Sequence, residues 1–347
     1  MHNLHAGGSC LDNLQRPLRD LRISVTDRCN LRCTYCMPDE VFGKNFVFLR
    51  HADLLSFEEI IRVARHCIAL GVRKIRLSGG EPLLRHGIER LVEMLATLVD
   101  SNGKPIDLAL TTNGTLLAKK ARSLKDAGLA RLNVSLDALD ENIFHTMSGS
   151  NTSPALVLEG IAAAQACGLT PIKVNAVVKR GINESEILPL IRRFRHTGVI
   201  MRFIEYMDVG NTNGWRLDDV VTASEILSKI NNEYPLRSLS PQVPGEVAKR
   251  WAFQDGSGEI GVISSVTQAF CHTCSRLRLS TDGKLYTCLF ASEGTDLRTL
   301  LRTEPDDAQL QERITALWHN RADRYSQLRC AASVPSAKKI EMSYIGG

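Results

Sequence analysis

The sequence lacks several features that would place it among membrane or nucleic-acid-binding proteins. No stretch of its 347 residues approaches the run of about 20 apolar residues that a membrane-spanning helix requires. Its first residues, MHNLHAGGSCLDNLQR, lack the basic and then apolar design of a signal peptide, so we expect a cytoplasmic protein. The net charge of +5 is mild, and it suits a site for an anionic small molecule without indicating a nucleic-acid partner. We therefore predict a globular protein with neither membrane nor nucleic acid as partner.

Short strand patterns alternate with helical patterns from residue 20 to about residue 208. Helix signals separate the strands; Ser56 and Glu59, for example, form a capping box before EIIRVARHCIAL. Repeated strand, helix and strand predict βαβ units with a parallel sheet. The predicted strands are LRISVT (21–26), KIRLSGG (74–80), DLALTTNG (107–114), RLNVSLD (131–137), PIKVNAVV (171–178) and IMRFIEYM (200–207).

Polar residues occupy every second position of these strands. Arg22 lies between two apolar residues, and Lys173 does the same on a later strand. A parallel sheet covered on both faces should be apolar throughout, so one face here is predicted to border a polar cavity. Six units fall short of the eight of a complete barrel. We predict an α/β fold, an incomplete (β/α)6 TIM-type barrel with a substrate cavity along its axis.

The alternation ends after residue 208. VTASEILSKIN and DDAQLQERITALWHNR have helical patterns, GEIGVISS reads as a strand, and RLRLSTDGKLYTC predicts two strands around a turn. We predict three regions: an N-terminal extension over 1–15, the partial barrel over 16–208 and a C-terminal α+β extension over 209–347.

Cysteine is abundant, at ten residues, yet each of its two clusters lacks a fourth member. Cys29, Cys33 and Cys36 follow the first strand, at the end where barrel enzymes place their active sites. Three thiolates at this spacing can hold three irons of a 4Fe–4S cluster and leave the fourth iron open. A zinc site would need a second, distant pair of ligands, and a two-cluster ferredoxin has a different spacing with a fourth cysteine before proline.

The second cluster of cysteines, Cys271, Cys274 and Cys288, flanks the predicted C-terminal strand pair. It could be a zinc ribbon that His272 completes, although structural zinc sites usually have four well-separated ligands. We favour a second 4Fe–4S cluster whose open iron faces the substrate. The four other cysteines are scattered, at Cys10, Cys67, Cys167 and Cys330. Cys67 and Cys167 lie in helical patterns and are interpreted as buried small hydrophobes.

The first triad and the segment SGGEP together resemble the radical S-adenosylmethionine (SAM) superfamily. Tyr35 fills the aromatic position before Cys36, and Ser78 to Pro82 follow the second strand. The resemblance implies that the open iron binds the amino and carboxylate groups of SAM, which an electron cleaves to a 5′-deoxyadenosyl radical. It also implies that Glu81 accepts from the SAM ammonium and that Met207 contributes its backbone. The implied SAM-binding residues are Tyr35, Gly80, Glu81, Ser135 and Met207.

Within that superfamily, the two triads and a Gly-Gly end resemble the GTP 3′,8-cyclases, which begin molybdenum cofactor biosynthesis. The resemblance covers residues 16–347 and includes RDLRISVTDRCN, NVSLDA, RFIEYMDVGN and CSRLRLSTDGK. It implies that the second cluster binds guanine and that the radical removes the ribose 3′ hydrogen before attack on C8. It also implies a flavodoxin or ferredoxin as electron donor, a downstream cyclic pyranopterin monophosphate synthase, and a monomer or homodimer.

A triphosphate needs several cations, and the polar strand face offers them. Arg22, Arg76 and Lys173 share the inward parity on three strands, and buried cations require anionic partners. Arg276 and Arg278 alternate on the C-terminal strand pair. The candidate GTP-binding residues are Arg22, Arg76, Thr111, Lys173, Arg276, Leu277 and Arg278.

The tail KKIEMSYIGG would ordinarily be disordered, since end residues are seldom tied down. Met342, Tyr344 and Ile345 nevertheless offer apolar anchors, and Gly346 and Gly347 can thread where nothing bulkier fits. The family resemblance implies that this end enters the active site and acts after SAM is cleaved.

Two other functions fit part of the pattern. Another radical SAM enzyme with an auxiliary cluster, such as a peptide modifier, typically has more C-terminal cysteines than this chain. A zinc-ribbon nucleic-acid binder would use the +5 charge, would be colourless and would not need SAM.

Overall fold

The computed structural model describes residues 10–243, 245–303, 307–329 and 338–346. Its strands form one twelve-stranded sheet. The strands are β1 (Asp20–Ser24), β2 (Lys74–Ser78), β3 (Asp107–Thr112), β4 (Arg131–Ser135), β5 (Ile172–Val178), β6 (Ile200–Glu205), β7 (Leu236–Leu239), β8 (Lys249–Phe253), β9 (Glu259–Ile263), β10 (Arg276–Leu279), β11 (Lys284–Tyr286) and β12 (Thr295–Asp296).

Helices connect these strands, and none that the structure describes is long and apolar enough to cross a membrane. The helices are α1 (Asp39–Phe42), α2 (Phe57–Ala69), α3 (Ile88–Ala96), α4 (Leu117–Asp126), α5 (Glu141–Ser148), α6 (Pro154–Ala166), α7 (Ile187–Phe194), α8 (Ala223–Glu233), α9 (Arg298–Thr303), α10 (Asp307–His319), α11 (Tyr325–Leu328) and α12 (Met342–Ile345).

The predicted array of six βα units is confirmed. Strands β1 to β6 neighbour one another in chain order, and each pair runs parallel. The predicted capping box begins α2: the Ser56 hydroxyl accepts from the Glu59 N–H at 3.1 Å, and the Glu59 carboxylate accepts from the Ser56 N–H at 2.7 Å. Residues of all six strands line one cavity, so the sheet curves around it as an incomplete barrel.

The two faces of the sheet differ as the alternation predicts. Along β5, buried residues alternate with partly accessible ones, so that Ile172 and Val174 enter the apolar core while Lys173 lies on the opposite face. The same alternation puts Leu21 and Ile23 in the core and Arg22 in the cavity. Burial of apolar side chains under the helices therefore leaves the polar face to line the cavity.

The C-terminal residues extend this sheet at both of its edges. Strand β10 pairs in parallel with β1, and β9 pairs in parallel with β6. Antiparallel strands continue beyond them, β11 and β12 on one side and β8 and β7 on the other. Strands β7 and β8 could not be predicted, because LRSL and KRWAF show no sustained alternation of apolar and polar residues.

Candidate active site

A cavity of about 650 Å³ runs along the axis of the partial barrel. The C-terminal segments contribute to its wall together with the six barrel strands. Five of the six triad cysteines line it, and they are Cys29, Cys33, Cys36, Cys274 and Cys288. The sixth, Cys271, lies beside the lining and is partly buried.

The two triads occupy opposite ends of the cavity. Cys29 follows β1, where the parallel strands end. Cys274 precedes β10, which is parallel to β1, so it lies where the parallel strands begin. Cys288 follows β11, which is antiparallel to β10, and so returns to the same end as Cys274.

The loop of the first triad is held by its own backbone and by the loop after β3. The Cys36 N–H donates to the Cys33 carbonyl at 2.9 Å. The Cys29 sulfur accepts from the Leu31 N–H at 3.5 Å and from the Asn113 amide at 3.8 Å. Burial raises the pKa of Cys29 to about 11, so a thiolate here requires a cation beside it. Three such thiols fit an iron–sulfur cluster, whose irons supply that charge.

Two glycines after β2 pack directly on this cysteine loop. A Cβ on Gly80 would lie 2.2 Å from the Arg28 carbonyl oxygen, and one on Gly79 would lie 2.5 Å from that of Thr26. Gly79 also has a φ of +149°, which other residues rarely adopt. Both glycines line the cavity, so their backbone is exposed to a ligand next to the first triad.

Glu81 is buried and is not among the residues that line the cavity, so its predicted contact with the SAM ammonium stays a prediction. Its buried carboxylate accepts from the Leu83 N–H at 3.0 Å, the Thr112 hydroxyl at 2.7 Å and the Asn113 N–H at 2.7 Å. Burial raises the pKa of Glu81 to about 7. The carboxylate therefore fixes the loop after β3, whose Asn113 contacts the Cys29 sulfur.

The remaining predicted SAM-binding residues all line the cavity. The Tyr35 hydroxyl donates to the Asp137 carboxylate at 2.7 Å, and Asp137 also accepts from the Val177 N–H at 2.8 Å. Ser135 lies two residues before Asp137, at the end of β4. The Met207 carbonyl accepts from the Asn213 amide at 2.9 Å, which orders the loop after β6.

Arginines surround the sulfur of Cys274. The Arg276 and Arg321 guanidiniums each donate to it at 3.2 Å. Although burial acts to raise it, these two charges lower the pKa of Cys274 to about 6. The Cys288 sulfur accepts from the Phe290 N–H at 3.5 Å. Hydrogen bonds and positive charge around thiolates are typical of iron–sulfur sites.

Within the described ranges, no group of three or more His, Cys, Asp and Glu side chains is arranged to hold a single metal ion. Thiolates that bind different irons of one cluster are not expected to converge as zinc ligands do. His272, the predicted completing ligand of a zinc ribbon, is exposed. Cys67 is fully buried in the core, Cys167 packs at its margin, and Cys330 lies outside the described residues.

Three arginines lie side by side in the middle of the cavity. In the sheet register, Arg22 of β1 is opposite Arg278 of β10 on one side and Arg76 of β2 on the other. The next set of residues aligned across the strands lies nearer the second triad. Its side-chain charges alternate between positive and negative along Arg276, Asp20, Lys74 and Asp107. Lys74 and Asp107 there form an ion pair of 3.7 Å. We call the level of Arg278, Arg22 and Arg76 the arginine row.

The positive charges of the arginine row lack sufficient anionic partners within the protein alone. Burial, followed by the charges of Arg278 and Arg76, holds the pKa of Arg22 well below its usual range. Burial likewise lowers the pKa of Lys173 to about 7. The Arg76 Nε and the Thr111 hydroxyl, both in the cavity lining, are buried without a hydrogen-bond partner. A bound polyanion would supply the missing charge and acceptors.

All but one of the predicted GTP-binding residues line the cavity. The exception is Leu277, whose side chain is fully buried in the apolar core opposite the cavity face. Other cationic residues that sequence reasoning missed also line the cavity: Arg19, Arg73, Lys74, Arg131 and Arg202. The position of Arg202 in the cavity could have been predicted from the sequence, since it lies between apolar Met201 and Phe203 on β6.

The described end of the tail is folded into the same cavity wall. Ile345 is fully buried, and Met342 lines the cavity. Arg278 of the arginine row donates to the Gly346 carbonyl. Gly346 has a φ of +71°, and a Cβ there would lie 2.3 Å from the Ser78 hydroxyl oxygen. Gly347, the other predicted tail residue, lies outside the described residues.

Two family models match the chain. The radical SAM superfamily model matches residues 23–194, and the Molybdenum Cofactor Synthesis C model matches residues 199–327. A protein of Acidothermus cellulolyticus named GTP 3′,8-cyclase is 54% identical over 360 residues, which cover 97% of this chain and 98% of its own length. One of Staphylococcus epidermidis with the same name is 47% identical over 339 residues, again covering 97% and 98%.

Solved structures share the fold. Streptococcus suis SuiB bound to S-adenosylmethionine superposes with a TM-score of 0.59 at 14% sequence identity. The superposition covers 85% of this chain and 68% of SuiB. At 14% identity this similarity shows a shared fold alone.

Proposed function

The chain belongs to the GTP 3′,8-cyclase family of radical SAM enzymes, and on that premise we propose that its cavity converts GTP to (8S)-3′,8-cyclo-7,8-dihydroguanosine 5′-triphosphate. This reaction is the first step of molybdenum cofactor biosynthesis. One observation carries the assignment of the site: a cysteine triad at each end of a single cavity, with the arginine row between them.

Cys29, Cys33 and Cys36 are the residues that would hold the SAM-binding 4Fe–4S cluster. When bound, this cluster supplies the electron that cleaves SAM to the 5′-deoxyadenosyl radical. The exposed backbone of Gly79 and Gly80 gives the methionine part of SAM a close approach beside that triad. We propose Tyr35, Gly80, Ser135 and Met207 as SAM contacts and Glu81 as the residue that positions the adjacent loop.

Cys271, Cys274 and Cys288 are proposed to hold a second 4Fe–4S cluster, with its open iron toward guanine. The arginine row lies between the two ends, at the level where the triphosphate of a guanine-anchored nucleotide can be paired. Arg22, Arg76, Arg278 and Lys173 would neutralise the phosphates, and Thr111 would donate a hydrogen bond. Arg276, which contacts the Cys274 sulfur, would act mainly on the second triad.

The wider setting follows from the same proposal. A flavodoxin or ferredoxin in the cytoplasm would deliver the electrons, and a cyclic pyranopterin monophosphate synthase would consume the product. Residues 16–208 would serve SAM and residues 209–347 would carry the second triad and the tail.

The test separates the two triads by substitution under anaerobic conditions. The wild-type protein should be brown, with about eight irons per chain. Changing Cys29, Cys33 or Cys36 to Ala should abolish SAM cleavage. Changing Cys271, Cys274 or Cys288 to Ala should leave uncoupled SAM cleavage and remove GTP cyclisation. Cys167→Ala, which changes a partly buried cysteine outside both triads, is the matched control and should keep iron content and product formation.

Normal GTP cyclisation by the Cys271, Cys274 and Cys288 variants would contradict the proposed substrate site. A wild-type protein that retains about four irons after full reconstitution would contradict the second cluster itself.

A further inference from the structure

A buried acidic residue near the N-terminus joins two arginines. Asp12 is 2% exposed, and its carboxylate accepts from the Leu14 and Arg16 N–H groups, both at 2.9 Å. The same carboxylate pairs with the Arg16 Nε at 2.6 Å and with the Arg321 Nη1 at 3.2 Å. We call Asp12, Arg16 and Arg321 the N-terminal clamp.

Both arginines of the clamp reach the second triad. The Arg16 Nη1 donates to the Cys271 carbonyl at 2.8 Å. Arg321 donates through Nη1 to the Cys274 carbonyl at 2.7 Å and through Nη2 to the Cys274 sulfur at 3.2 Å. Two of the three predicted ligands are thus held by residues far away in sequence, one at each end of the chain.

The clamp is enclosed by apolar packing. Trp318, fully buried at the end of α10, lies 4.7 Å from the Arg321 guanidinium, and its indole N–H donates to the Arg16 carbonyl at 3.2 Å. The side chains of Arg321 and Asp12 are 1% and 0% exposed. Arg321 also pairs through its Nε with the Asp323 carboxylate at 3.4 Å, so the two guanidiniums face two carboxylates and still direct donors at the second triad.

We propose that Asp12, Arg16 and Arg321 are positioning residues for the second triad: they fix the Cys271–Cys274 loop and tune the cluster bound there. This inference rests on the proposed function, because it requires a cluster at that triad. Arg321 has two distinct effects. Its carbonyl contact holds the loop in place, and its contact to the Cys274 sulfur stabilises negative charge on the cluster.

The two effects predict two readouts. Loss of the loop contact should weaken the hold on iron, since removal of groups that orient metal ligands typically costs 10–100-fold in metal affinity. Loss of a charged donor to a thiolate should make the reduction potential of the cluster more negative, because reduction adds negative charge. A residue that merely supports the fold would leave the potential unchanged.

The experiment uses the full chain with Cys29, Cys33 and Cys36 changed to Ala, so that iron binds at the second triad alone. Arg321→Met in this parent should speed iron loss to a chelator about tenfold or more and shift the potential to more negative values. Arg321→Lys retains a buried charge for Asp12 and should be intermediate; it also provides the measurement if the Met variant does not fold. Arg195→Met is the matched control, since Arg195 is also packed on an aromatic ring and ion-paired, but beside β8.

The reciprocal parent, with Cys271, Cys274 and Cys288 changed to Ala, should show no effect of Arg321→Met on the first cluster. Iron loss and potential equal to those of the parent in both Arg321 variants would overturn this inference alone. A parent that binds no iron at the second triad would instead overturn the proposed function, and this inference with it.

Discussion

Replacing Arg76 with Met should produce two effects of opposite sign. The arginine row places like charges on three adjacent strands, which are about 4.8 Å apart. Two unit charges at about 5 Å repel by roughly 3 kcal/mol at an effective dielectric constant of about 20, and long side chains reduce this by spreading apart. Burial is the largest cause of the lowered pKa of Arg76, and the nearby charges of Asp20 and Asp107 offset it only in part, so its charge is also poorly solvated. The ligand-free protein should therefore gain about 1 kcal/mol in its free energy of unfolding.

The affinity for GTP should change in the other direction. Losing one partner of a desolvated ion pair costs about 2–5 kcal/mol, and the lower end applies here because Arg22 and Arg278 remain. A loss of about 2 kcal/mol corresponds to a roughly thirtyfold higher Kd. Anaerobic titration calorimetry with GTP and chemical denaturation without it measure the two quantities on the same preparation.

Arg192→Met is the control, since Arg192 is exposed and pairs with Glu233 at 3.0 Å on the surface. It should leave both quantities within about 0.5 kcal/mol of wild type. An Arg76→Met protein that binds GTP as the wild type does would refute a phosphate-binding row. One that is less stable without GTP would refute the repulsion within it.

Three further predictions concern other residues of the cavity wall. Burial, with Arg202 and Lys74 nearby, lowers the pKa of Lys173 to about 7, so above that pH a bound polyanion must recruit a proton. GTP affinity should therefore fall from pH 7 to 9, and calorimetry in two buffers should show that GTP binding takes up a proton. Lys173→Arg should remove this pH dependence. An equally steep fall in the affinity of that variant would contradict the assignment to Lys173. Gly346→Ala should keep iron content and SAM binding but lose most cyclisation, because its Cβ would meet the Ser78 hydroxyl at 2.3 Å and φ is +71°. Product formation at the wild-type rate would show that the tail takes no part in the reaction. Glu81→Gln should lower the free energy of unfolding by about 1–3 kcal/mol, since three donors face that carboxylate, and unchanged denaturation would exclude its positioning role.

The sheet and its polar face could be predicted because both depend on local alternation. Each strand carries its own parity, so Arg22 and Lys173 could be assigned to the cavity without knowing which strands are neighbours. The same parity turns the Leu277 side chain to the apolar face, because it lies between Arg276 and Arg278, and its predicted contact with GTP through the backbone stays a prediction. The orientation of this side chain could be predicted from the sequence.

Glu81 and Asp12 could not have been placed in this way. The motif around Glu81 suggests a ligand contact, but its acceptors are occupied by donors from the loop after β3, about 30 residues away. Asp12 lies in a segment without periodicity, and its partner Arg321 is 309 residues away. Contacts between loops that are distant in sequence leave no periodic pattern, so only the folded chain reveals them.

The pairing of β10 with β1 and of β9 with β6 has a consequence for biosynthesis. A ribosome-bound chain that ends near residue 208 would have two uncovered edges, each a row of unpaired backbone groups able to recruit another nascent chain. Because synthesis proceeds from the N-terminus, the strands that close these edges emerge last, together with the second triad. Fragments that stop before β9 should therefore aggregate when expressed. Iron delivery to the second triad must wait until Cys288 has been synthesised, whereas the first triad is complete at Cys36.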